Sequence, residues 1–171
     1  MNRETFTQLV RQELPRLRRF LLAACSGNSD EADDVAQEAL MKAYVASRSF
    51  EGEAESASPS TVDHRFSAWL YRIASNCLID HQRKQTSRGV AVGIDKADTM
   101  VAVSRSDAGF AYQELYSAIG GLNVSERTAV LLFYMEDRPI KEIAAIMNVA
   151  EGTVKGYLSR GRWHLRTKLS K

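Results

Sequence analysis

Thr153, Lys155, Ser159, Arg160 and Arg162 lie within one short stretch, GTVKGYLSRGR, and each carries hydrogen-bond donors or positive charge. Such donors bind phosphate oxygens and the acceptor atoms of base edges. Arginine is the most specific of them, because a planar guanidinium can bond O6 and N7 of guanine together. A helix must position these groups. Val154, Leu158, Gly161 and Leu165 recur at i, i+4, i+7 and i+11, leaving Lys155, Ser159 and Arg166 turned outward and Arg160 and Arg162 on the flanks. Just upstream, Ile140, Ile143, Ala144 and Met147 form a shorter apolar stripe, followed by Asn148, a residue that tolerates the left-handed conformation at a helix end. Two helices, a tight turn, and a second helix apolar inside and basic outside predict a helix-turn-helix able to enter a major groove. A surface helix pair with solvated cations is the plainer alternative.

Two further constellations stand upstream. Phe66, Trp69, Leu70, Ile73 and Cys77 fall at i, i+3, i+4, i+7 and i+11, the core face of a strong helix, with Arg65, Arg72, Asn76, Arg83 and Lys84 as its polar complement. Cations beside planar amide groups suit unpaired bases, which stack and accept hydrogen bonds. In Glu31–Tyr44, Val35, Ala36, Ala39, Leu40 and Ala43 are apolar, while Asp33, Asp34, Gln37 and Glu38 present an acidic surface. Acids in a first turn stabilise the helix dipole, which accounts for Asp33 and Asp34 but not for Gln37 and Glu38 beyond it. No histidine or phosphate-binding loop stands near these acids in the sequence, so a metal site or catalytic acid pair is not expected and no cofactor is assigned.

The 171 residues carry a net charge of only +2, but unevenly. Val154–Lys171 holds six basic residues and no acid, whereas Ser29–Glu55 holds eight acids against Lys42 and Arg48, a split that suggests two different partners. No apolar run approaches the roughly 18 residues of a membrane span, and the charged first residues do not resemble a signal peptide, so a cytoplasmic chain without membrane insertion is expected. Cys25 and Cys77 sit in apolar stripes and read as buried structural thiols.

Helical periodicity dominates. Phe6, Leu9 and Val10 open a first helix, Pro15 is placed to open the next, and Ser29 or Asp30 to cap a helix ending near Ala46. Ser47–Asp63 reads as a polar, acidic loop, and Thr86–Gly109, with three glycines and no sustained period, as linker. The fold class is therefore all-α: two small helical domains, 1–86 and 111–171, joined by a flexible tether over 87–110.

The segments EADDVAQEALMKAY (31–44), FSAWLYRIASNCLIDHQRK (66–84) and IKEIAAIMNVAEGTVKGYLSRGR (140–162), in that order, resemble the extracytoplasmic-function (ECF) class of bacterial sigma factors. The likeness spans both helical blocks. It implies a non-enzymatic subunit that binds core RNA polymerase and directs initiation at promoter DNA, with a sigma region 2 domain first and a region 4 helix-turn-helix, winged-helix-like, second. Asp34, Gln37 and Glu38 match the motif that docks on the clamp coiled coil of the polymerase. Arg65, Arg72, Asn76, Arg83 and Lys84 are assigned to the melted −10 element, and Thr153, Lys155, Gly156, Ser159, Arg160 and Arg162 to the −35 duplex. An anti-sigma protein as partner, residence on the nucleoid when active, and a tether threading the polymerase channels are implied in the same way.

The chain departs from the family pattern in two places. The 47–63 loop, expected to shape the −10 pocket, is long and acidic, and Tyr157 stands where the family often carries arginine. The rival readings are a stand-alone helix-turn-helix regulator, a sigma-like decoy for an anti-sigma factor, and a small enzyme using the acidic cluster, which lacks partner residues. The first leaves the W-L-Y-R-I-A-S-N helix without purpose, and the second has no need of Arg72, Asn76, Arg160 and Arg162.

Overall fold

The computed structural model describes residues 1–50, 59–87 and 107–170. Among them every regular element is a helix: α1 (Arg3–Ala24), α2 (Ser29–Phe50), α3 (Pro59–Ser87), α4 (Asp107–Gly120), α5 (Val124–Tyr134), α6 (Ile140–Met147) and α7 (Glu151–Leu169). Residues 88–106 of the tether expected over 87–110, and residues 51–58 of the acidic loop expected over 47–63, lie outside the described residues.

Helix α1 starts where the Asn2 side chain accepts from the Thr5 N–H at 2.8 Å. It runs through Pro15 without a break, so the second helix expected there does not exist. A mid-helix proline removes one N–H and crowds the carbonyl four residues back. Here that residue is Arg11, which faces solvent, as does Pro15 itself, so water can take the freed carbonyl. The helix stops at Ser26 and Gly27, both with positive φ, and Gly27 N–H returns to Leu22 O at 2.8 Å. The cap of α2 is Asn28, one residue before the expected Ser29, accepting from Glu31 N–H at 3.1 Å.

Both helices flanking the acidic loop outrun the sequence reading. Helix α2 continues to Phe50 because that ring is buried against Phe66 and Trp69, with centroids 5.9 and 5.2 Å away. Helix α3 starts at Pro59, a residue tolerated at a first helical position. Helices α1, α2 and α3 close around Phe6, Leu17, Phe20, Val35, Phe66, Leu70 and Tyr71. Helices α4 to α7 close around Leu132, Ile143, Ile146, Val154 and Leu158. Cys25 and Cys77 are buried free thiols, and burial pushes the Cys77 thiol above its ordinary value.

The two bodies also pack on each other, which periodicity did not foretell. Arg127 of α5 is buried and donates to Ala24 O at 2.7 Å, at the end of α1, and to Ile119 O, Gly120 O and Leu122 O. Burial lowers its pKa from the usual arginine value. Arg138, in the turn between α5 and α6, bonds Ser67 Oγ and Glu142 and lies 4.9 Å over the Tyr71 ring. Ser67 in turn donates to Glu13 at 3.0 Å. Beside them Arg16 stands 3.0 Å from the buried Glu136 carboxylate, and burial together with that carboxylate drives the Tyr71 hydroxyl pKa up.

Candidate nucleic-acid interface

Helices α6 and α7 are the two arms of the expected helix-turn-helix. Asn148 ends α6 in the left-handed region, at φ 54 and ψ 50, and Val149 N–H closes on Ala144 O at 3.0 Å. After this three-residue turn α7 buries Val154, Leu158 and Gly161, as the stripe predicts. Gly161 sets how near α7 comes to α5. A Cβ there would stand 2.6 Å from Val130 Cγ2, so only glycine permits this approach.

The outward face then carries Thr153, Lys155, Ser159, Arg160 and Arg162, all exposed, with Gly156 half-buried among them. Two of these cations are held from behind. Arg160 Nε donates to Glu126 Oε1 at 3.3 Å, and its guanidinium lies 5.6 Å from the Tyr157 ring centre. Arg162 Nη1 reaches the Tyr134 hydroxyl at 3.3 Å. Glu126 is the functional candidate that sequence reasoning missed. Its place in the first turn of α5 reads as a dipole-stabilising acid, and its partners lie 34 and 38 residues downstream.

Helix α3 places its polar residues differently. Arg65, Arg72, Asn76 and Arg83 fall at i, i+7, i+11 and i+18, a straight exposed line, with the exposed Lys84 beside it. Phe66, Leu70, Ala74, Cys77 and Leu78 are buried on the opposite side, and Trp69 and Ile73 are partly buried against them. Arg72, Asn76 and Arg83 make no side-chain hydrogen bond among the described residues.

On α2, Asp34 and Gln37 are exposed, and Glu38 is half-exposed. Lys42 Nζ stands 2.8 Å from Glu38 Oε1, and this hydrogen bond holds the Glu38 carboxyl below its ordinary range. Continuing this face are Met41, Tyr44 and Val45, exposed by 70, 52 and 78%. Three large apolar side chains in solvent beside a polar strip mark a contact surface. Their i, i+3, i+4 spacing was visible in the sequence but merged with the neighbouring buried stripe of Ala39 and Ala43.

Residues 9–88 match the family described as Sigma-70 region 2, and residues 112–165 match Sigma-70, region 4. The chain is 34% identical over 161 residues to the ECF RNA polymerase sigma factor SigW of Bacillus subtilis, covering 84% of this chain and 78% of that one. It is 30% identical over 164 residues to the ECF RNA polymerase sigma factor SigM of Mycobacterium tuberculosis, covering 96% and 76%. Among solved structures it resembles the sigma factor RpoE of Bartonella quintana in complex with the anti-sigma factor NepR, with a TM-score of 0.73, 28% identity and 98% of each chain covered. CnrH, solved in complex with the cytosolic domain of CnrY, shares the fold at a TM-score of 0.62 and 23% identity, over 99% of this chain and 90% of that one.

Proposed function

Because the chain belongs to the ECF RNA polymerase sigma factors, we propose that its three polar faces divide the work of promoter selection. The exposed surface of α2, with Asp34, Gln37 and Glu38 and the neighbouring Met41, Tyr44 and Val45, docks on core RNA polymerase. Arg65, Arg72, Asn76, Arg83 and Lys84 on α3 receive the melted −10 strand. Thr153, Lys155, Gly156, Ser159, Arg160 and Arg162 on α7 read the −35 duplex. Residues 1–86 then act as the polymerase and −10 module, 111–171 as the −35 module, and 87–110 as the connection between them, although Ser87 still belongs to α3 and 107–110 to α4.

Each face suits its substrate by its own chemistry. A base flipped out of the stack needs donors and a pocket, and the few kcal/mol that flipping costs, in order of magnitude, let the pocket select its base. Duplex is read through fixed acceptor patterns in the major groove, for which the Arg160 guanidinium is matched, while Lys155 and Arg162 set the register on phosphates. Two weak contacts on one chain reinforce each other through effective concentration.

The observation that carries this reading is the coexistence of the exposed α3 line with the α7 helix-turn-helix on one chain. A stand-alone duplex binder has no use for the first. On this reading the chain is a cytoplasmic specificity subunit, on the nucleoid when engaged, and not a catalyst. An anti-sigma protein is a further partner, a role supported by the NepR-bound relative.

The test is run-off transcription with sigma-free bacterial core polymerase and a promoter library. The proposal expects discrete new start sites preceded by shared −35 and −10 sequences. Duplex binding without polymerase, and no transcripts with several bacterial core enzymes, would instead point to an ordinary regulator.

A further inference from the structure

The side chains behind Arg160 form a cradle around its guanidinium. Glu126 is only 4% exposed at its side chain, whereas that of Arg160 is 57% exposed. The helix turn that carries it is anchored, because the Glu126 N–H donates to Asn123 Oδ1 at 2.8 Å and α7 closes on α5 through Gly161. Oε1 accepts from Arg160 Nε at 3.3 Å, and Oε2 lies 3.1 Å from His164 Nδ1. Tyr157 offers its ring as a second support, 5.6 Å from the guanidinium carbon. Gly156 supplies the room. A Cβ there would stand 3.2 Å from Nη1 and 3.7 Å from Nη2 of Arg160.

We propose that Glu126, Tyr157 and Gly156 position the Arg160 guanidinium for end-on recognition of a guanine in the −35 element. Nε is occupied by the carboxylate, while Nη1 and Nη2 make no hydrogen bond among the described residues. This leaves the end-on pair of donors for O6 and N7. An arginine already held in one orientation loses less side-chain freedom on binding. A held arginine also tolerates a wrong base poorly, because it cannot swing to another acceptor. The proposal rests on the reading of Arg160 as the −35 base contact.

The experiment is multi-round transcription by the full chain with core polymerase, on promoter pairs differing at single −35 base pairs. Arg160→Ala is assayed first and should abolish the preference at one position. If it changes no −35 preference, the underlying reading of Arg160 fails, whatever Glu126 does. At the position so identified, Glu126→Gln keeps the shape and removes the charge. It should lower the guanine preference about three- to tenfold, with no further loss when combined with Arg160→Ala. Gly156→Ala should lower the preference about two- to fivefold without lowering the thermal unfolding midpoint, since alanine strengthens a helix. Tyr157→Leu should reduce the preference, and Tyr157→Phe, which keeps the ring, should restore it. If Glu126→Gln and Gly156→Ala weaken all −35 sequences equally, or leave the ratio unchanged, the cradle has no positioning role.

Discussion

The outward faces of α3 and α7 both offer arginines, and Arg160 and Arg162 on α7 are supported from behind where Arg72 on α3 is not. Arg160 is tied to a buried carboxylate and a tyrosine ring, and Arg162 to the Tyr134 hydroxyl. Arg72 and Asn76 on α3 have no such side-chain partners among the described residues. The difference fits the ligands proposed for the two faces. Duplex presents base edges at fixed positions, so a donor set in advance gains both affinity and selectivity. An unpaired strand moves, so donors free to follow it lose little by being unsupported.

The comparison can be broken or sharpened by substitution, and the largest effect belongs to an arginine held more tightly still. Arg127 bonds four carbonyls from within the interface between the two bodies. Arg127→Met strands those acceptors and should cost about 3 kcal/mol, as hydrogen bonds to a buried charge are strong. Urea unfolding measures it, and a loss below about 1 kcal/mol would mean that water replaces the guanidinium easily.

Next comes Arg160→Ala. It should remove about 1–3 kcal/mol of discrimination at one −35 base pair, and it should lower global stability as well, because the buried Glu126 carboxylate then keeps only His164 beside it. Binding to duplex variants, alongside thermal unfolding, separates the two effects. Asn76→Ala should cost less, about 1 kcal/mol at the −10 element, because a donor not held in advance spends part of its interaction energy on ordering when it binds. Competition between −10 variants on a pre-melted promoter reads this out.

The smallest effect concerns α2. Its hydrogen bond to Lys42 holds the folded-state pKa of Glu38 below the ordinary carboxylate value. The linked stability is therefore present above the unfolded pKa and fades as pH falls through the lowered folded one. Being an exposed i, i+4 pair, it contributes at most about 0.5 kcal/mol. Lys42→Met should shift the Glu38 titration upward by NMR and leave stability at low pH unchanged.

The apolar stripes revealed the recognition helix, the core side of α3 and the turn at Asn148, because each is a local pattern within one helix. Pro15 misled, since its cost depends on whether the Arg11 carbonyl can reach water, which only the packed structure shows. The ends of α2 and α3 were misplaced for a related reason: Phe50 is drawn into the helix by rings on α3. Glu126, Arg127 and Arg138 were illegible. Their partners lie on other helices, and a buried charge looks like a surface charge until the fold closes over it.

Two faces of one sigma factor are thus proposed to read two promoter elements by different means. The most direct measurement is run-off transcription from a matched promoter and from its −35 and −10 variants, comparing the unaltered chain with Arg160→Ala and Asn76→Ala. The account predicts a crossover, with Arg160→Ala erasing preference only at −35 and Asn76→Ala only at −10. Loss of both preferences together in either variant, or of neither, would contradict it.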